Sequence, residues 1–225
     1  MERILETDCF YHIFNRGTNK QETFHDNSDY LRFIHYLYVC NDRAPMEKVF
    51  ADSIIGGPTS EISHKRELLV DVICYALMPN HFHLMLSQKK DGGLSKFMQK
   101  LCTAYTMYYN HRYKRTGVLF QGKYKSVPVL DEQYLPILVR YIHLNPVELN
   151  ISAVKSESGT ISYLKSYRWS SCPDYLGQEN FPSIISTDQF AEIFEDYAEH
   201  QEFLLENVED GFMKSEKKLF IDLEE

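Results

Sequence analysis

Two apolar runs rich in β-forming residues, LLVDVICYALM and HFHLMLS, stand on either side of Pro79-Asn80, and they constrain the fold more tightly than any other stretch of the chain. Such a pair around a Pro-Asn step reads as two strands hinged at a tight turn. The second strand opens with His81 and His83. Successive side chains of a strand point to opposite faces, so the two imidazoles project the same way while Phe82 and Leu84 point to the other. Two imidazoles side by side are part of a metal site whose third ligand must come from elsewhere in the chain.

The flanking segments supply the other elements. CFYHIFNRG reads as an earlier strand ending at Gly17, and DNSDYLRFIHYLYVC as a helix with Asp26 or Ser28 as its cap and apolar residues at helical spacing. Residues 41–65 contain GGP among scattered polar residues and read as a short strand plus a variable loop. GGLSKFMQKLCTAYTMYYNHRYKRTG predicts a helix begun after a glycine pair and closed by Gly117, with Leu94, Phe97, Met98, Leu101, Tyr105 and Tyr108 on one face. KSVPVL predicts a short strand, and DEQYLPILVRYIHLNP a helix capped at Asp131 and stopped by Pro146. The order strand, helix, strand, strand, helix, strand, helix predicts an α+β fold: a ferredoxin-like sandwich, with a mostly antiparallel sheet and helices on one face. From about Ile184 the chain reads as helical and strongly acidic. We divide it into a catalytic domain, residues 1–176, and an acidic, mostly helical C-terminal extension, residues 177–225.

Charge is segregated along the chain. The net charge is -8, yet residues 89–125 hold nine bases against one acid, while residues 177–225 hold fourteen acids against three lysines. A basic middle joined to an acidic tail is compatible with a polyanion-binding core whose footprint the whole-chain charge conceals. The five cysteines are widely spaced with no C-x-x-C pair, which predicts reduced thiols and argues against a disulfide framework or a structural zinc knot. No apolar run approaches the roughly 18 residues that span a bilayer. Charges in MERILETDCF occupy the place of a signal peptide's apolar region, so a cytoplasmic protein with no membrane partner is expected.

Tyr141 and Asn145 lie four apart on the last of these helices and share one face, with His143 pointing elsewhere. If that face packs toward the strand of His81 and His83, two imidazoles, one amide oxygen and one phenol gather in one place. A divalent cation held by two histidine nitrogens and an amide oxygen could polarise a phosphodiester. The phenol would then be the nucleophile, and because its reference pKa is near 10 it needs a metal or a cationic neighbour.

These residues carry a resemblance. PNHFHLML resembles the His-hydrophobic-His (HUH) motif of the single-tyrosine transposases, and RYIHLNPVELN resembles the Y-x-x-x-N-P helix of their REP-associated branch, in that order along the chain. YHIFNRGTNKQETF and GVLFQGKYKSV are similar to family segments as well, so the resemblance covers roughly residues 10–176. It implies that His81, His83 and Asn145 are the metal ligands and Tyr141 the nucleophile. It further implies a ferredoxin-like fold, Mg²⁺ or Mn²⁺ as cofactor, and single-stranded DNA folded into an imperfect hairpin as partner. Cleavage would leave a 5′-phosphotyrosine and a free 3′-OH. A homodimer is compatible with this reading.

The run NHRYKRTGVLFQGKYK interleaves Arg112, Lys114, Arg115, Lys123 and Lys125 with Tyr113, Phe120 and Tyr124, the mixture expected where phosphates pair with cations and unpaired bases stack on rings. Arg16, at the end of the first strand, is a further candidate phosphate contact. Tyr105 and Tyr108, at helical spacing beside Phe97 and Leu101, read as core packing, and His111 and His143 as ordinary surface histidines. Two alternatives stay open at this point: a metal phosphodiesterase with water as nucleophile, and a DNA-hairpin-binding regulator without turnover.

Overall fold

The structure is a computed structural model that describes residues 6–7, 9–45, 66–151, 156–186, 188, 193–194 and 196–205. Its core is a four-stranded antiparallel sheet of β1 (Phe10–Arg16), β2 (Val70–Met78), β3 (His81–Gln88) and β4 (Lys125–Val129), in the order β2-β3-β1-β4. Between the strands run α1 (Asn27–Val39) and α2 (Gly93–Arg112), so the chain follows the ferredoxin-like order expected of it. The helix α3 (Tyr134–Leu144) comes next, then α4 (Glu157–Ser166), the short α5 (Cys172–Tyr175) and α6 (Tyr197–Leu205). Most of the segment read as strand plus loop, residues 46–65, lies outside the described residues, as do residues 206–225 of the acidic extension.

Local signals explain where the helices begin. Asp26 caps α1, its carboxylate accepting from the backbone N–H of Ser28 and Asp29. Tyr30, Phe33, Ile34 and Leu37 then recur at helical spacing and are buried. The second helix starts after Gly92 in the left-handed region at φ 70°, and it buries Leu94, Phe97, Met98, Leu101 and Tyr105. The third starts at Tyr134, three residues later than the Asp131 cap expected from sequence; Asp131 instead accepts from the backbone of Gln133 in the turn before it. At its other end Pro146 does stop the α-helix, and the chain continues as a tighter helical turn, Asn145–Leu149.

Both faces of the sheet are covered, which corrects the expectation of helices on one face. Tyr11, Ile13, Val72, Tyr75, Leu77, Phe82, Leu84 and Leu86 pack against α1 and α2. On the opposite face Ile73, Cys74, Ala76 and Met85 pack against Leu135, Leu138, Val139, Tyr141 and Ile142 of α3. A register shift between Val72 and Cys74 lets the consecutive residues Ile73 and Cys74 both join this second cluster. Phe194, from the extension, sits in the same cluster, and Leu204 of α6 is buried in a third one with Leu144, Val147 and Leu164. Part of the extension therefore belongs to the packed body. The five cysteines are free thiols, three of them buried. Among the described residues no helix is long and apolar enough to cross a membrane.

Candidate functional site

The α3 face of the sheet carries the histidines. Register pairs Phe14 with His83 and Arg16 with His81 across β1 and β3, and Phe14 with Lys125 across β1 and β4. Even-numbered residues of β1 therefore share a face with both histidines, and so does Lys125. Helix α3 lays Tyr141 on this surface, its ring edge-on to His83 at 5.5 Å between centroids and to His12 at 5.8 Å. Tyr141 is 1% exposed.

His12 gave no signal of its own in the sequence, yet it lies against the candidate ligand His83. Its Nε2 lies 2.9 Å from Nδ1 of His83, both rings are buried, and they stack with centroids 5.1 Å apart. Burial pushes the His12 pKa down to about 3, so the ring is neutral. A neutral imidazole has one donor nitrogen and one acceptor. If His83 Nδ1–H donates to His12 Nε2, His83 Nε2 is left with a lone pair directed elsewhere. This is the outer partner that metal-ligating histidines usually have.

His81 is set up in the same way by different means. Its Nδ1 is 2.7 Å from Asn80 Oδ1, and Asn80 Nδ2 donates to the Lys20 carbonyl at 3.2 Å. The carbonyl fixes which end of the amide faces which partner, so His81 Nδ1 carries the proton and Nε2 the lone pair. The turn that holds Asn80 rests on Gly17, whose N–H donates to the Asn80 carbonyl at 2.8 Å. A Cβ at Gly17 would meet the Gln21 carbonyl oxygen at 2.2 Å, so only glycine fits there.

Asn145 follows Tyr141 by one helical turn and is buried; its Nδ2 donates to the Tyr141 carbonyl at 2.8 Å. Two imidazole nitrogens and one amide oxygen suit a borderline or hard divalent cation. Among the described residues no group of three or more His, Cys, Asp or Glu side chains could hold a metal ion. Asn145 carries an amide oxygen, a ligand type outside that set.

The predicted DNA contacts divide into groups. Arg16 and Lys125 lie on the histidine face; Arg16 Nε is buried with no hydrogen-bond partner, and Lys125 stands over the Phe14 ring at 5.8 Å. Lys114 and Lys123 are exposed in the chain between α2 and β4, and Arg115 lies over the Tyr109 ring. Arg112 is committed elsewhere. Its guanidinium donates to Asp26, to Asp29 and to the Tyr108 hydroxyl oxygen, an internal clamp between α2 and the start of α1. This clamp holds the Asp26 carboxyl below the usual carboxylate range. Replacing Arg112 by Ala is expected to destabilise the fold by about 2 kcal/mol, because Asp29 is fully buried while Arg112 itself is partly exposed. Thermal melts should show the loss and hairpin affinity should not change.

The tyrosines read as core packing belong to the opposite face. Tyr105 is buried and donates to the Thr23 carbonyl at 2.6 Å, and Tyr108 bonds Asp29. His111 is exposed as expected, but His143 is fully buried, a correction to its reading as a surface histidine. The sequence placed it off the Tyr141 face correctly and did not show that another packed layer covers it.

Comparison with known proteins adds a family. A family model described as IS200-like transposase matches residues 28–145. The fold is similar to a solved REP-associated tyrosine transposase bound to a REP hairpin, with TM-score 0.50 and 10% identity over 83% of this chain and 90% of that one. A tRNA(His) guanylyltransferase from Saccharomyces cerevisiae matches with TM-score 0.35 and 10% identity over 92% of this chain and 80% of that one, too low a similarity to argue from. A comparison with curated protein sequences returned no match.

Proposed function

Since the chain belongs to the IS200-like transposase family, whose model spans just over half of its 225 residues, we propose that it cleaves and transfers single-stranded DNA at folded hairpins through a 5′-phosphotyrosine intermediate. The observation that carries this reading is the placement of Tyr141 against His83 and His12 within one chain. No second copy is needed to bring nucleophile and histidines together.

In this mechanism the Tyr141 phenolic oxygen attacks phosphorus, an O–P bond forms, and the P–O bond to the 3′ oxygen breaks. The phenol proton leaves and the departing 3′ oxygen gains one, giving a free 3′-OH. The phosphotyrosine ester keeps the bond energy, so attack by a 3′-OH can rejoin the strand. His81 Nε2, His83 Nε2 and Asn145 Oδ1 are the atoms that would hold Mg²⁺ or Mn²⁺, which when bound supplies Lewis-acid polarisation of the phosphodiester. His12 and Asn80 orient the two imidazoles from behind. Arg16 and Lys125 take phosphates on the histidine face, with Lys114, Arg115 and Lys123 extending the basic surface.

One observation favours the reading of a hairpin-binding regulator without turnover: Tyr141 is 1% exposed, so DNA must displace what encloses it before attack. Incubation with labelled hairpin DNA and Mn²⁺ on a denaturing gel separates the two, since only the transesterase leaves a slow covalent band. Replacing Arg16 or Lys125 by Ala is expected to weaken hairpin binding across sequences and to reduce the slope of log affinity against log salt by about one each. Unchanged salt slopes in both variants would remove them from the DNA surface.

A further inference from the structure

We propose that His200 of α6 positions the tyrosine helix through a one-way chain of hydrogen bonds, which makes this part of the C-terminal extension a working part of the cleavage site. The inference rests on the transesterase reading and extends it to residues that the family model, ending at residue 145, does not cover.

The chain runs through four elements. His200 Nδ1 lies 3.1 Å from the Tyr175 carbonyl oxygen in α5, and its Nε2 lies 3.1 Å from Nδ1 of His143 in α3. His143 Nε2 lies 2.8 Å from the Ser171 hydroxyl. That hydroxyl receives the backbone N–H of Tyr75 in β2 at 2.9 Å, and the Ser171 N–H donates to the Tyr75 carbonyl at 3.0 Å. His143, His200 and Ser171 are all fully buried. Where two ring nitrogens meet at 3.1 Å, one donates and the other accepts.

Donor and acceptor roles then follow from one carbonyl. A carbonyl only accepts, so His200 Nδ1 carries the proton and Nε2 is an acceptor. His143 must therefore donate from Nδ1, which leaves its Nε2 as an acceptor for the Ser171 hydroxyl proton. Ser171 Oγ also lies 3.3 Å from the Tyr75 carbonyl oxygen, a second and longer acceptor for its proton, so the direction of the chain is set at His200 Nδ1 and passes through the two rings. His143 sits two residues from Tyr141 and two from Asn145, on the back of the helix that presents both. The same helix is held a second time by α6: Arg140 donates to the Phe203 carbonyl at 3.1 Å, and its guanidinium lies over the Phe203 ring at 4.1 Å. Tyr175 is fixed to the sheet in turn, its hydroxyl donating to the Ile73 carbonyl at 2.6 Å. The tyrosine helix is thus referenced to the strand beside the one that bears His81 and His83.

Two variants of the full chain test this. His200→Phe keeps the ring volume and loses both hydrogen bonds; His200→Gln keeps one donor and one acceptor. With saturating hairpin DNA and Mn²⁺, adduct formation is expected to fall on the order of 10–100-fold in His200→Phe, as for a reacting group displaced by about 1 Å, and to recover in His200→Gln. Hairpin affinity should stay unchanged in both. Independently of any activity, ¹⁵N spectra of the wild-type imidazoles should show Nδ1–H at both His143 and His200, and His200→Phe should shift the ring protons of Tyr141 and His83. Equal adduct rates in wild type and His200→Phe, or a loss shared equally with hairpin affinity, would overturn the positioning role. An Nε2–H tautomer at either histidine, or unmoved Tyr141 and His83 signals in His200→Phe, would overturn it as well. A wild-type protein that forms no adduct would instead sink the transesterase reading, and the spectra would still decide the chain of hydrogen bonds.

Discussion

Tyr141→Phe is expected to abolish covalent capture of hairpin DNA, a loss on the order of 10⁴-fold or more, as when a sole nucleophile is removed. The substitution deletes one oxygen and keeps the ring that packs against His12 and His83. The fold should therefore survive at a cost of about 1 kcal/mol for the lost hydroxyl. Hairpin affinity should also survive, because the proposed phosphate contacts are Arg16, Lys125 and the basic loop. A loss of chemistry with binding intact distinguishes a nucleophile from a residue that shapes the surface. Wild-type levels of strand cleavage in Tyr141→Phe would move the nucleophile's role to water.

His83→Ala should produce the second largest effect. It removes one of the two imidazoles and strips His12 of the ring that its Nε2 meets. Lewis-acid polarisation is worth several kcal/mol, so adduct formation should fall on the order of 10³-fold. Calorimetric titration with Mn²⁺ should show binding in the wild-type protein and none in the variant, with hairpin affinity preserved. Full Mn²⁺ binding by His83→Ala would place the cation at other residues.

Much of this arrangement is legible in the sequence because its signals are local. Period-two alternation sets His81 and His83 on one face, and i, i+4 spacing sets Tyr141 above Asn145. The Asp26 cap and the apolar stripe of α2 are local in the same sense. What escapes is decided by register and by distant partners. His12 meets His83 across 71 positions of chain, through the pairing of β1 with β3, and a lone histidine in YHIF gives no spacing to read. Arg112 looks like one of several basic residues at a helix end; only the packing of α2 on α1 gives it two aspartates more than 80 residues away. Periodicity shows that α3 has an apolar face but not which side of the sheet will take it, so helices on both faces could not be foreseen. The acidic composition of the extension hides the buried residues Phe194, His200 and Leu204, which are few among many charged residues.

The central claim, that Tyr141 becomes esterified to DNA, is tested most directly by trapping the complex with hairpin DNA and Mn²⁺, digesting protein and DNA, and mapping the modified peptide by mass spectrometry. A nucleotide linked through its 5′-phosphate to Tyr141 is the result this account predicts. Cleaved DNA with no modified tyrosine, or a nucleotide on a tyrosine of α2 such as Tyr105 or Tyr108, would contradict it.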